Sequence, residues 1–234
     1  SGNKIMATGA SAFAHALTKN ESLQSLDLSA NAIENEGTLA FATALLTNKT
    51  LRRLRLYNCK IKGEDLYYIA RALIKNTSLI SIDLGANRID NSCAAVIALV
   101  LQENKSLREL YLSDNHLGFA YEGLKAFSSA LAKNRFLKML NLSMNCIGDI
   151  SAKSIAIALI KNNSLQALDL SLNHISNEGA LAMAKALLKN ESLQWLELSD
   201  NDIDDDGVRY IADAIPQNQS LYFLKLGTLI LHLA

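Results

Sequence analysis

The sequence predicts an α/β repeat array, a short strand followed by a helix, recurring every 28 residues. Three observations carry this. The segment L-x-x-L-x-L, with Ile82 at one middle position, begins at Leu23, Leu51, Leu79, Leu107, Leu137, Leu165, Leu193 and Leu221, and every spacing is 28 except one of 30. Three residues past the last leucine of each segment stands Asn31, Cys59, Asn87, Asn115, Asn145, Asn173 or Asn201, and only the eighth copy departs, with Leu229. The third observation is compositional. One proline in 234 residues, against an average near 5%, suits a stacked array rather than a loop-rich domain.

Composition also narrows the function. Half the chain is apolar, so disorder is excluded, and three cysteines are too few for a disulfide scaffold. The 23 Lys and Arg balance 23 Asp and Glu, which speaks against nucleic acid as the partner. The cysteines Cys59, Cys93 and Cys146 lie in three different repeats. They are expected to be reduced and largely buried, which predicts a cytoplasmic protein.

Each part of the repeat has a physical reason. The alternating L-x-L places leucines on one face of a short strand. The asparagine that follows can donate and accept, so stacked copies would form a ladder that satisfies buried turn groups, with Cys59 as a small substitute. The helix is read from two apolar columns four residues apart. The first is Phe13, Phe41, Ile69, Ile97, Phe127, Ile155, Met183 and Ile211; the second runs from Leu17 and Leu45 to Leu187 and Ile215. Small residues between them, mostly alanine, allow close helix packing. An asparagine ends each helix, from Asn20 and Asn48 to Asn190 and Asn218, and is expected to adopt the left-handed conformation. Seven of these eight also match N-x-S/T, and are read as turn residues rather than glycosylation sites.

The run Leu193 to Gly207 reads L-x-x-L-x-L-S-x-N-x-I-x-x-D-G, and each helix closes on K-N-x-S-L or a near variant. This form resembles leucine-rich repeats of the ribonuclease-inhibitor type. Those occur in ribonuclease inhibitor, the Ran GTPase-activating protein, NOD-like receptors and effectors of intracellular bacteria. The resemblance implies a right-handed horseshoe-shaped solenoid with a parallel inner sheet and outer helices. It also implies a non-catalytic module that binds a protein on its concave face. The same resemblance permits two alternatives: GTPase activation of the Ran-activator type, or a sensor or autoinhibitory region of a NOD-like receptor or a bacterial effector.

In that fold the non-leucine strand residues face the concavity. The default triplet is a small residue, Asp, then Ser, as in Ser25, Asp27 and Ser29. Departures mark the candidate partner-binding residues: Arg52, Arg53, Arg55 and Tyr57; Glu109 and Tyr111; Trp195, Glu197 and Asp200; and Phe223. Two residues inserted around Phe119 and Tyr121 make a candidate rim loop. Charge has an axis: eight Lys/Arg against Glu64 and Asp65 give +6 over residues 49–75, while seven Asp/Glu against Arg209 give −6 over residues 197–213.

No catalytic motif, cofactor motif or metal-ligand set is found. His116 and His174 stand two repeats apart, too far to share a metal. The run Asp202 to Gly207 mimics a calcium loop but falls on the repeat's own columns. The apolar tail from Gly227 to Ala234 is too short to span a membrane. Asn3 stands 28 residues before Asn31, so residues 1–234 are expected to be one repeat domain cut from a longer protein.

Overall fold

A computed structural model describes residues 3–118 and 121–227, apart from the side chains of Tyr121 and Glu122. Helices and strands alternate without exception: α1 (Ala7–Lys19), β1 (Ser25–Asp27), α2 (Glu34–Thr47), β2 (Arg53–Arg55), α3 (Gly63–Lys75), β3 (Ser81–Asp83), α4 (Ala94–Glu103) and β4 (Glu109–Tyr111). The second half repeats the order: α5 (Tyr121–Lys133), β5 (Met139–Asn141), α6 (Asp149–Lys161), β6 (Ala167–Asp169), α7 (Asn177–Leu187), β7 (Trp195–Glu197), α8 (Asp205–Ala214) and β8 (Phe223–Lys225). Short 3-10 turns precede α4 at Asn91–Cys93 and follow α8 at Ile215–Gln217, where Pro216 sits.

The eight strands form one open parallel sheet in chain order. Every strand pairs with the next in the register set by the repeat: Leu26, Leu54, Ile82, Leu110, Leu140, Leu168, Leu196 and Leu224 lie side by side. The first seven are buried beneath the sheet, with Leu28, Leu56, Leu84 and their equivalents, against the apolar columns of the helices. The columns loosen at the ends. Phe13 is 46% exposed, because α1 packs against a helix layer on one side only.

The asparagine ladder is present, and its bonds link neighbouring repeats. Asn173 Nδ2 donates to the carbonyls of Leu142, Leu170 and Ser171, at 2.9–3.1 Å. Its Oδ1 accepts from the N–H groups of Asn145 and Ile147, both at 2.9 Å. Asn87 makes the same five contacts with Cys59, Ile61, Leu56, Leu84 and Gly85. The Cys59 side chain has only its thiol to donate, to the carbonyls of Leu28 at 3.2 Å and Tyr57 at 3.5 Å. Burial pushes that thiol up to about 11, so it stays protonated. Cys59→Asn is therefore expected to raise stability by about 1–2 kcal/mol, because an amide oxygen accepts from the Asn31 and Ile33 N–H groups better than sulfur does. Urea unfolding measures it; an unchanged midpoint would contradict the ladder account.

The asparagines that end the helices form a second ladder, and here the expectation of left-handed backbone is corrected. Asn20, Asn48, Asn76, Asn104, Asn162 and Asn218 are extended, with φ between −65° and −90° and ψ near 130°. The amide does the capping, so the backbone has no need to reverse. Asn76 Oδ1 accepts from the N–H groups of Ser78 and Leu79, while Nδ2 donates back to the carbonyls of Leu45 and Asn48. Asn48, Asn76, Asn104, Asn162 and Asn190 are buried in these bonds, which agrees with reading N-x-S/T as structure. Left-handed backbone appears elsewhere. Ala30, Asn58, Ala86, Asp114, Met144, Leu172 and Asp200, each just before a sheet-ladder residue, have φ between 51° and 57°. That reversal turns the ladder side chain inward, and none of the seven is glycine.

The cysteine expectation is also corrected in part. Cys59 and Cys93 are buried, but Cys146 is exposed. It follows ladder residue Asn145, in the column that holds Lys60, His116 and His174, which faces solvent. Among the described residues, no helix is long and apolar enough to cross a membrane.

Candidate functional site

The strand register places the predicted contact residues in rows. Arg53, Ser81, Glu109, Met139, Ala167, Trp195 and Phe223 share one row across the open face of the sheet; Arg55, Asp83, Tyr111, Asn141, Asp169, Glu197 and Lys225 share the next. Period-2 alternation explains this, since the leucines between them point into the core.

The default triplet has a structural job. Asp27 accepts from the backbone N–H and hydroxyl of Ser29, and Asp169 does the same with Ser171. Asp83 accepts from the Gly85 N–H, and Asn141 from Ser143. These bonds tie the end of each strand to its turn. Strands β2 and β4 have Arg55 and Tyr111 at this position instead.

Around β2 to β4 the site is charged and aromatic. Arg53, Arg55 and Tyr57 are exposed, while Glu109 and Tyr111 are half-buried. Arg55 reaches Asp27 at 3.6 Å, with both side chains more than half exposed, a contact worth little by itself. Tyr111 Oη donates to Glu109 Oε2 at 3.4 Å. Burial, then the Glu109 carboxylate, pushes the Tyr111 hydroxyl up. Burial, then Asp114 and Asp83, does the same for Tyr57. Both tyrosines therefore stay neutral donors at physiological pH.

Sequence reasoning missed the role of Gly85. A Cβ there would come within 2.7 Å of Ser113 Oγ and 2.9 Å of a Tyr57 ring carbon. The absent side chain makes room for the Tyr57 ring over β3. The sign of this was in the sequence, since glycine stands where five other repeats have serine.

Burial raises the carboxyl of Asp83 above 3.8, against the opposing bond from Gly85. The sign follows from linkage. The folded state holds this proton more tightly than the unfolded state, so the Asp83 contribution to stability falls as pH rises above 3.8. Asp83→Asn keeps an acceptor for Gly85, and is expected to flatten the pH dependence of stability just above pH 4. Urea melts at pH 3.5, 5 and 7 check it; an unaltered profile would contradict the assignment.

A second cluster lies at β7 and β8. The rings of Trp195 and Phe223 stack, with centroids 5.1 Å apart and planes 9° apart. Trp195 is half-buried and Phe223 is 37% exposed. By strand spacing this stack is about 24 Å from Arg53.

Three predicted residues are placed differently from the reading above. Glu197 is 5% exposed; it pairs with Lys225 at 3.5 Å and accepts from the Ser199 hydroxyl, so little of it faces outward. Arg52 precedes β2 and lies on the rim, donating to the Ser78 carbonyl at 3.0 Å. Asp200 sits in the left-handed turn after β7, beyond the strand rows. Phe119 and the Tyr121 side chain lie outside the described residues, as does the tail from residue 228 onward.

The acidic segment near the C-terminal end is occupied by helix capping. Asp204 Oδ1 accepts from the Asp206 N–H at 2.9 Å and from Asn177 Nδ2 at 2.7 Å, and Asp206 pairs with Arg209. His174 lies 3.8 Å from Asp202, on the surface. Among the described residues no group of three or more His, Cys, Asp or Glu is placed to hold a metal ion.

A family model described as "Leucine Rich repeat" matches residues 19–42, 47–70, 103–128, 133–156, 161–184 and 189–212. No curated protein sequence matches the chain. Among solved structures, leiomodin-1 actin-binding site 2 (ABS2) is similar at 30% identity over 48% of this chain, with a TM-score of 0.42. The chain spans 65% of that structure's length, less than two thirds. The Caenorhabditis elegans tropomodulin C-terminal domain is similar at 15% identity over 76% of this chain and 92% of that one, with a TM-score of 0.47. The repeat seen in the ladders and strand register is the one the family model matches over more than half of the sequence, and the chain belongs to the leucine-rich repeat family.

Proposed function

We propose that the chain is a non-catalytic recognition module that binds a protein partner across its concave sheet. Arg53, Arg55, Tyr57 and Tyr111 form one contact patch, and Trp195 stacked on Phe223 forms a second. One observation carries the reading. Strands β1, β3, β5 and β6 close with an Asp or Asn bonded to the N–H two residues on, whereas β2 and β4 give that bond up for Arg55 and Tyr111.

The core does not ask for these residues, because Leu54, Leu56, Leu110 and Leu112 fill it. Exposed Arg, Tyr and Trp are the residue types that dominate interface energetics. The sheet is held by two amide ladders, so binding orders little backbone and more of the contact energy appears as affinity. Free thiols at Cys59, Cys93 and Cys146 support a reducing, cytoplasmic setting.

The test is capture of a partner on the immobilised chain, followed by affinity measurement on variants. Arg53→Glu with Arg55→Glu is expected to weaken binding about tenfold or more, and Arg71→Glu on helix α3 to leave it unchanged. Equal affinity for all three proteins would overturn the concave assignment.

A further inference from the structure

We propose that the rim where helices end and strands begin, from α2 to α6, is a second docking surface, for an acidic polypeptide segment. Three loops on this rim carry the same basic pair three residues apart: Lys49 and Arg52, Lys105 and Arg108, Arg135 and Lys138. Lys75, Lys133 and Lys161 stand at the ends of the neighbouring helices, and Glu103 is the single acid among them. Nine cations thus face one anion on a chain whose net charge is zero.

These cations are unmatched. Among the described residues, none of the nine lies within 4.0 Å of a carboxylate. Off the rim, Arg55, Lys60, Lys62, Lys153, Arg209 and Lys225 pair with acids, while others among the described residues, such as Lys19, Arg71 and Arg88, do not. The helix dipole gives a structural reason for Lys75, Lys133 and Lys161 in the last turns. In the loops the helix ends also account for Arg135, which donates to last-turn carbonyls of α5 and α6, but not for Arg52, Arg108 or Lys138, which stand beyond them.

The loop arginines are held in place. Arg108 lies over the Phe136 ring, 5.4 Å from its centroid, and donates to the Lys105 carbonyl at 3.0 Å. Arg135 donates to the carbonyls of Ala132 and Lys161, both at 3.3 Å, and Arg52 to that of Ser78. A backbone ladder runs along the same edge, from Arg52 through Ile80 and Arg108 to Lys138. Arg108 and Lys138 are therefore neighbours about 5 Å apart, and Arg52 is about 10 Å from Arg108. An extended acidic chain, whose alternate side chains recur about every 6.6 Å, can meet this row.

Other polyanions fit less well. Phe136, the aromatic ring among these cations, is already covered by Arg108, so stacking of bases has no platform. Between the basic pairs stand polar Thr77, Asn163 and Gln166, and the apolar side chains of this rim, Ile80 and Phe136, are half-buried, which leaves little to insert into a bilayer.

The test uses a labelled twelve-residue Asp/Glu peptide, read by fluorescence anisotropy. Lys105→Glu with Arg135→Glu and Lys138→Glu is expected to weaken binding at least about tenfold, and added salt to weaken it in the wild type. Arg53→Glu with Arg55→Glu, and Lys60→Glu with Lys62→Glu, are expected to stay within about twofold, which separates this surface from the concave one. If the triple reversal does not melt like the wild type, Lys105→Gln with Lys138→Gln replaces it and is expected to weaken binding about threefold or more. An unchanged affinity in the rim variant overturns the proposal. So does tighter binding of a twelve-residue oligo-dT or of phosphatidylserine vesicles than of the peptide.

Discussion

Asn173→Ala is expected to be among the most damaging single changes in the chain, at about 2–6 kcal/mol. The residue is 5% exposed and makes five hydrogen bonds, three of them to the preceding repeat. Alanine leaves the N–H groups of Asn145 and Ile147 buried without an acceptor. Each such orphan costs about 1–3 kcal/mol, and the three carbonyls lose a donor as well. The site is enclosed by Leu142, Leu170 and Ile147, all buried, which limits repair by water. In a solenoid each repeat leans on its neighbours, so the loss should spread beyond its own layer. Urea unfolding of the variant checks this, and a loss below about 1 kcal/mol would contradict the ladder's role.

The second large effect is expected at the aromatic stack. Trp195→Ala removes the broad ring that lies flat on Phe223. In the bound complex, a central tryptophan is typically worth about 2 kcal/mol or more, close to a thirtyfold loss of affinity. The core beneath is made by Leu193, Leu196 and Leu198, all buried independently of Trp195. Stability should therefore fall much less than affinity, by about 1 kcal/mol from the lost aromatic pair. Titration calorimetry against the captured partner, run beside thermal melts, separates the two. Unchanged affinity with a lowered melting temperature would reassign Trp195 to holding the end of the sheet.

The fold was legible because the repeat writes its own register. Leucines at fixed spacing define the buried rows, and the asparagine after six of the eight strands can be read as a turn-satisfying amide from its donors and acceptors alone. The backbone at each turn was less legible. A helix-ending asparagine suggested left-handed geometry, yet extended backbone suffices once the amide itself bonds the turn and the preceding repeat. The left-handed residue lies instead before the sheet ladder, where Ala30, Met144 and Leu172 give no compositional warning.

The open-face rows were legible from period-2 alternation, which placed Arg53, Arg55, Tyr111 and Trp195. Pairwise geometry was not. Nothing in the sequence stated that Glu197 would be drawn down by Lys225 and Ser199, or that Gly85 would make room for Tyr57. Arg52 is adjacent to Arg53 in sequence but precedes the strand, so one residue separates the open face from the rim. The total charge of zero concealed a third distribution beside the two ends: the basic pairs recur at a fixed place in the repeat, and become a surface only when the repeats are stacked.

The most direct test of concave recognition is hydroxyl-radical footprinting of the complex, which reads side chains one at a time. Protection is predicted at Tyr57, Tyr111, Trp195 and Phe223, with Tyr67 on α3 and Tyr210 on α8 as reactive as in the free chain. Protection confined to Tyr67, Tyr210 or the exposed Ile157 of α6 would place the partner on the helices and contradict it.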